Sequence, residues 1–172
     1  MIRKTLELLY FQLISANKVA QIKGVQFGKN CKFRTKHFGS EPYLIKIGDN
    51  VSTARNVTFI THDGAVQVIR SLYKEYEQID LIDQIIIQNN VFIGSGTTLL
   101  PGTHIEDNVI VGAGSVVRGR LKGNSVYAGV PVKYICSIDE YLNKNIDKFI
   151  DTKFLSKDKK RELLKEKFNI NK

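Results

Sequence analysis

A six-residue beat runs through the second half of this chain and limits what the chain can fold into. In steps of six from Ile87 stand Ile87, Ile93, Leu99, Ile105, Val111 and Val117, all aliphatic. Four residues after each come Val91, Thr97, Thr103, Val109, Ser115 and Leu121, mostly small or β-branched. Three residues after each come Asn90, Gly96, Gly102, Asn108 and Gly114, and then Arg120. The beat also appears earlier in another phase, as Ile47, Thr53 and Phe59, with Asn50 and Asn56 three residues on. A sustained short period marks a repeat architecture.

Six is neither the 3.6 of a helix nor the simple alternation of a flat strand. It suits a chain that runs straight briefly, turns a corner and repeats. Each repeat points one large apolar side chain into a shared interior and a smaller one nearer the corner. The corner needs positive φ, which glycine adopts without steric cost and asparagine tolerates best among other residues. Seven of the nine corner positions in the two in-phase runs are Asn or Gly, and the other two are His62 and Arg120. Three such strands close one coil of about 18 residues, and no coil buries its apolar column alone.

The run Ile93-Gly94-Ser95, Val111-Gly112-Ala113-Gly114-Ser115 and Ala128-Gly129-Val130-Pro131 resembles the hexapeptide-repeat acyltransferases. That resemblance covers roughly residues 25 to 135. It implies a mainly β fold, a left-handed parallel β-helix of hexapeptide repeats. The left hand comes from the family, since the period is silent on it and ordinary crossovers are right-handed.

Composition sets the frame. At 172 residues the chain is one domain with a tail. Its two cysteines, Cys31 and Cys136, make no disulfide scaffold and fit a reducing cytoplasm. The net charge of +9 raises the question of nucleic acid. The lysines cluster in the tail from Lys157 to Lys167, and none of the usual nucleic-acid modules is visible. A basic balance equally favours a polyanionic small molecule, and coenzyme A carries three phosphates.

Residues 1–20 read as an N-terminal amphipathic helix, with Leu6, Leu9, Tyr10 and Leu13 at helical spacing. Glu7 and Gln12 interrupt any apolar run, so neither a secretory leader nor membrane association is expected. Residues 21–135 read as the β-helix, with a phase break of two residues at Lys36 to Pro42. The 28 residues between Phe59 and Ile87 are not a multiple of six, so an excursion leaves the coils over about 63–86. Long excursions from a regular scaffold usually carry function. Residues 136–172 read as a helical tail that caps the open end of the stack.

His62 is the first candidate for chemistry. It stands at a corner position otherwise held by Asn or Gly, just before Asp63-Gly64 and the excursion. In the acetyltransferases of the resembled family, a histidine at this loop deprotonates the acceptor hydroxyl. A neutral imidazole at pH 7 suits that task. The resemblance gives Ser95 a backbone N–H facing the thioester oxygen and Phe92 a place lining the acceptor side. Both face outward, because Ile93 faces in. Gly112 and Ala113 give backbone that a pantetheine arm approaches closely. Lys133 matches a basic family residue near the coenzyme A phosphates, with Arg118 and Arg120 as helpers by position. Asp63 either orients His62 or faces the acceptor, and Glu41 on the first loop is placed to meet a sugar hydroxyl.

The expected activity is acetyl-CoA-dependent O-acetylation of a sugar in a surface polysaccharide or its precursor. Acetyl-CoA acts as donor, and the resemblance implies a homotrimer with sites between subunits. The segments Tyr43-Leu44-Ile45-Lys46-Ile47-Gly48 and Phe59-Ile60-Thr61-His62-Asp63-Gly64 are similar to the small polysaccharide-type O-acetyltransferases. An amino-sugar N-acetyltransferase is the runner-up, and a non-catalytic hexapeptide scaffold is a third class. A γ-class carbonic anhydrase would need three histidines around one zinc. His37, His62 and His104 differ in their place in the repeat, so no metal is expected.

Overall fold

The computed structural model describes residues 13–170. Most of the helix expected over 1–20 lies outside them. Within them, α1 (Ala16–Ile22) begins at Ser15, whose side chain accepts the Lys18 N–H, and buries Val19 and Ala20 against the first coil. β1 (Gln26–Phe27) starts that coil, and β2 (Ile45–Ile47), β3 (Ser52–Thr53) and β4 (Thr58–Phe59) make the next. α2 (Val66–Leu72) belongs to the excursion. β5 (Ile85–Ile87), β6 (Phe92–Ile93) and β7 (Thr98–Leu99) form the following coil. β8 (His104–Ile105), β9 (Val109–Val111) and β10 (Val116–Val117) form another above it. β11 (Arg120–Leu121) and β12 (Ser125–Ala128) begin the last, and β13 (Lys133–Ser137) folds back antiparallel on β12.

These strands stack into three sheets, one strand per coil in each. The first face is β1-β2-β5-β8-β11, the second is β3-β6-β9-β12 with β13 at its edge, and the third is β4-β7-β10. Every pairing but β12 with β13 is parallel. Ile87 lies opposite Ile105, and Leu99 opposite Val117, each 18 residues on. Gln26 lies opposite Lys46, an offset of 20, so the two extra residues of the first loop leave the register intact.

The interior follows from the beat. Ile87, Ile93, Leu99, Ile105, Val111 and Val117 are all at most 1% exposed. Burying such a side chain fully contributes about 1.5–3 kcal/mol. The smaller column carries hydroxyls because each finds a carbonyl. Thr97 donates to the Gly112 carbonyl at 3.2 Å, Thr103 to the Val117 carbonyl at 3.0 Å, and Ser115 to the Gly112 carbonyl at 2.7 Å. Cys31 packs in the same way, with Sγ 3.1 Å from the Gly48 carbonyl, and burial pushes its thiol up.

The corners differ from edge to edge. Between the first and second faces stand Asn30, Asn50, Asn90, Asn108 and Asn124, all with φ between 54° and 58°. Their amides bond from coil to coil, as Asn90 to Asn108 at 2.7 Å and Asn108 to Asn124 at 2.8 Å. The edge between the second and third faces has Asn56, Gly96 and Gly114 instead. A Cβ added at Gly96 or Gly114 would meet nothing within 4 Å, so this edge is bare.

Three readings of the beat change. Leu121 is not in the small column: it pairs with Ile105, 16 residues back, and restarts the beat with Asn124 and Ser125 behind it. The corner that precedes it is Gly119, at φ 77°, and not Arg120. His62 is not among the positive-φ residues. The chain leaves the coil there instead of turning it.

The chain divides into two compact units, one ending at Glu140 and one starting at Tyr141. The first ends inside α3 (Ile138–Asn145). The second contains α4 (Lys157–Lys167), whose start is capped by Ser156 accepting the Lys159 N–H. Among the described residues no helix is long and apolar enough to cross a membrane.

Candidate active site

Two groups of residues flank the third face. The first surrounds His62, where the excursion departs. Its two legs pair as a short antiparallel neck. His62 bridges Ile82, the Asp63 N–H donates to the Leu81 carbonyl at 2.8 Å, and the Asp83 N–H to the Thr61 carbonyl at 3.0 Å. The His62 side chain is 35% exposed at this neck.

Carboxylates and cations lock the neck from both sides. Asp63 accepts the Ala65 N–H at 3.0 Å and the Arg118 guanidinium at 3.0 Å. The Ala65 N–H first, and then Arg118, hold its carboxyl below the usual carboxylate range. The link to Arg118 is therefore in place above that range and is lost as pH falls through the lowered value. Arg118 follows β10, two coils above Ile60, and so ties the neck to the stack. Glu41 accepts the buried Thr61 hydroxyl at 2.8 Å and the Ser40 hydroxyl at 2.9 Å. It braces the residue just before His62.

Asp80 and Arg70 were not singled out from the sequence. Asp80 Oδ1 lies 3.9 Å from His62 Nε2. Arg70, on α2, holds Asp80 through its guanidinium and donates to the Ile79 carbonyl at 2.6 Å. The contact depends on how the excursion returns, which no local pattern encodes. The 3.9 Å between Asp80 and His62 is longer than a hydrogen bond, and it makes Asp80 a candidate for positioning the imidazole. Asp80→Asn is expected to lower kcat about tenfold, less than the roughly hundredfold or more for loss of the base itself, with KM for the acyl donor unchanged. Asp80→Glu should recover most of that loss. Equal rates for the Asn and Glu variants would remove Asp80 from the site.

The second group runs along the second face and its bare edge. Ala54 and Gly94 are adjacent across the coils, as are Gly94 and Gly112, and Gly112 and Ala128; Ala128 pairs with Lys133. One row thus joins Gly112 to Lys133. The next row holds Arg55, Ser95 and Ala113. Phe92 stands on the same face between Ser52 and Ile110 and is 47% exposed. Gly112 also has a packing reason, since an added Cβ would come within 2.8 Å of the Ala128 Cβ. Arg120 lies on the first face, 2.6 Å from Glu106. His37 sits beside Thr58, and His104 lies in β8 with Nε2 3.3 Å from Gln88 Nε2. Among the described residues no three or more His, Cys, Asp or Glu gather as a metal site would require.

The chain thus brings His62 together with Asp63, Glu41 and Arg118, and separately Phe92 and Ser95 with Gly112, Ala113 and Lys133. At about 3.3 Å per residue, the third face sets the two groups about 20 Å apart. One chain cannot bring both to a single reacting carbon.

Residues 84–119 match the bacterial transferase hexapeptide (six repeats) family. The chain is 43% identical over 161 residues to protein CapG of Staphylococcus aureus, covering 92% of this chain and 91% of that one. It is 40% identical over 100 residues to a galactoside O-acetyltransferase of Escherichia coli, covering 58% of this chain and 47% of that enzyme. The fold is similar to the crystal structure of a hexapeptide-repeat containing acetyltransferase from Vibrio cholerae. There the TM-score is 0.51 at 16% identity, over 72% of this chain and 88% of the other. The six-residue beat, the stacked parallel coils and the nearly full-length likeness agree: the chain belongs to the hexapeptide-repeat acetyltransferase family.

Proposed function

We propose that this protein transfers acetyl from acetyl-CoA to a sugar hydroxyl of a surface polysaccharide or its precursor, with His62 as general base. In this reading three copies of a left-handed β-helix assemble about a three-fold axis in the cytoplasm. Each site takes His62 from one copy and the bare edge from its neighbour. The supporting observation is the separation of the two residue groups on one chain, since a cyclic assembly joins opposite edges of identical subunits.

The chemistry needs no covalent enzyme intermediate. His62 takes the proton of the acceptor hydroxyl as that oxygen bonds to the thioester carbon. The oxyanion that forms needs preorganised donors. Among the described residues no carbonyl accepts the Ser95 N–H, which leaves it for this role. As the carbon–sulfur bond breaks, His62 returns the proton to the leaving thiolate. Phe92 offers an apolar face beside the acceptor, and Gly96 and Gly114 keep the edge clear for a slim pantetheine arm.

Lys133 lies at the far end of the strip and is exposed. As a point charge on a flexible stem, it suits a coenzyme A phosphate. Lys133→Ala is expected to raise KM for acetyl-CoA several-fold at constant kcat, the signature of lost uniform binding. With a dephospho-coenzyme A donor, wild type and variant should become nearly equal. A persistent gap would assign Lys133 to another group.

The reading is tested by an acceptor screen with acetyl-CoA, followed by free thiol release and mass spectrometry. The expected product carries an acetyl ester that mild alkali removes. An alkali-stable amide would make the protein an N-acetyltransferase instead.

A further inference from the structure

One cleft on the second face adjoins Phe92 and Ser95 and extends past them to residues that the mechanism above does not use. It has a volume of about 520 Å³ and is lined by Lys32, Arg34, Ser52, Arg55, Phe92 and Ser95, among others. The size suits a small ligand. Its charge is one-sided. Arg70, Arg118 and Arg120 each meet a carboxylate, as does His62 at longer range. Among the described residues Lys32, Arg34 and Arg55 form no ion pair. Three uncompensated cations face one cleft, next to an exposed aromatic ring and to Ser95.

The register says which substrate this cleft faces. Lys32 pairs with Ser52, so Arg34 falls at the level of Ala54. From there the row runs through Gly94, Gly112 and Ala128 to Lys133. Five coil spacings of about 4.8 Å put Arg34 about 24 Å from Lys133. One donor phosphate cannot reach both. Arg55 is one coil from Ser95, on the side away from Lys133. With Ser95 facing the thioester, as proposed above, the cations lie beyond it on the acceptor side.

We propose that the acceptor is a sugar carried on a phosphate or diphosphate, with Lys32, Arg34 and Arg55 holding that charge and Phe92 facing the sugar ring. Arginine suits it because its planar fork meets phosphate oxygens in pairs. Lys32 adds a point charge at the same mouth. The proposal rests on the O-acetyltransferase reading and specifies its substrate class.

The test compares one sugar as free glycoside, 1-phosphate, nucleoside diphosphate derivative and uronate, all at saturating acetyl-CoA. The phosphate-bearing forms are expected to exceed the free glycoside at least tenfold in kcat/KM. That preference should collapse towards one in Arg34→Ala/Arg55→Ala, with KM for acetyl-CoA unchanged. Equal use of glycoside and phosphate forms, or a preference that survives the double substitution, overturns the proposal. So does a uronate used as well as the phosphates, which would make a carboxylate the anion read. A second measurement stands apart from turnover. Uridine diphosphate is titrated calorimetrically into the protein saturated with coenzyme A, so that the donor strip is filled. Binding should weaken at least fivefold in the double variant and with added salt. If no acceptor is acetylated but uridine diphosphate binds through these arginines, the transfer reading fails and the cleft assignment stands. If transfer occurs and uridine diphosphate does not bind, the cleft assignment alone fails.

Discussion

His62→Ala is expected to lower kcat by at least about a hundredfold, within the range for loss of a general base. A hydroxyl is a poor nucleophile until its proton leaves, and no other imidazole stands at this neck. His37 and His104 sit on other parts of the coils. The variant should still fold, because His62 is partly exposed and outside the inward column. It should still bind acetyl-CoA, because the donor strip lies on the other edge. The measurements are steady-state kinetics, thermal melting and a coenzyme A titration. A variant with a near-normal rate removes His62 from the chemistry, and a variant that fails to melt cooperatively gives the residue a structural role.

The second large effect is on stability. Gly94→Ala is expected to cost about 3 kcal/mol, the upper end of overpacking penalties. The φ of Gly94 is not the reason. A Cβ there would lie 2.4 Å from the Ala113 nitrogen and 2.7 Å from the Gly112 carbonyl carbon, both backbone. The two coils would have to part, and the Gly94 N–H bond to the Val111 carbonyl, 2.8 Å long, would go with them. Two residues on, Gly96 has open space but φ of 70°. Gly96→Ala should cost only about 1–2 kcal/mol, the usual cost of the left-handed conformation. Urea midpoints for the two variants separate the causes. Equal midpoints would show that the coils yield more readily than their spacing implies.

These two glycines show how much of the fold was legible. The inward column was plain because burial repeats at a fixed step, and the six residues at that step from Ile87 to Val117 are all buried. Positive φ was plain because only Asn and Gly hold it cheaply. The difference between edges was not. Whether a corner is Asn or Gly depends on the coils above and below, and a one-dimensional beat does not display the amide ladder on one edge. Leu121 was misplaced because the coil before it is two residues short, a change the hydrophobic pattern hides. In the site, His62, Ser95 and Lys133 stood out by motif. Asp80, Arg70 and the Arg118–Asp63 link did not, since each joins residues 10 or more apart through the path of the excursion. Arg34 and Arg55 came together only through the shifted register of the first coil.

The central claim is that one active site is built from two copies of this chain. The direct measurement co-expresses two inactive variants with different tags and purifies the mixed trimers. One is His62→Ala, which lacks the base. The other is Ala113→Trp, which fills the bare strip. In a cyclic trimer that contains both variants, about one site in three joins an intact His62 to an intact strip on its neighbour. The mixed trimers should therefore recover about a third of wild-type activity, while each parent stays at background. Mixed trimers no more active than their parents, or a monomer mass by light scattering at micromolar concentration, would contradict the shared site.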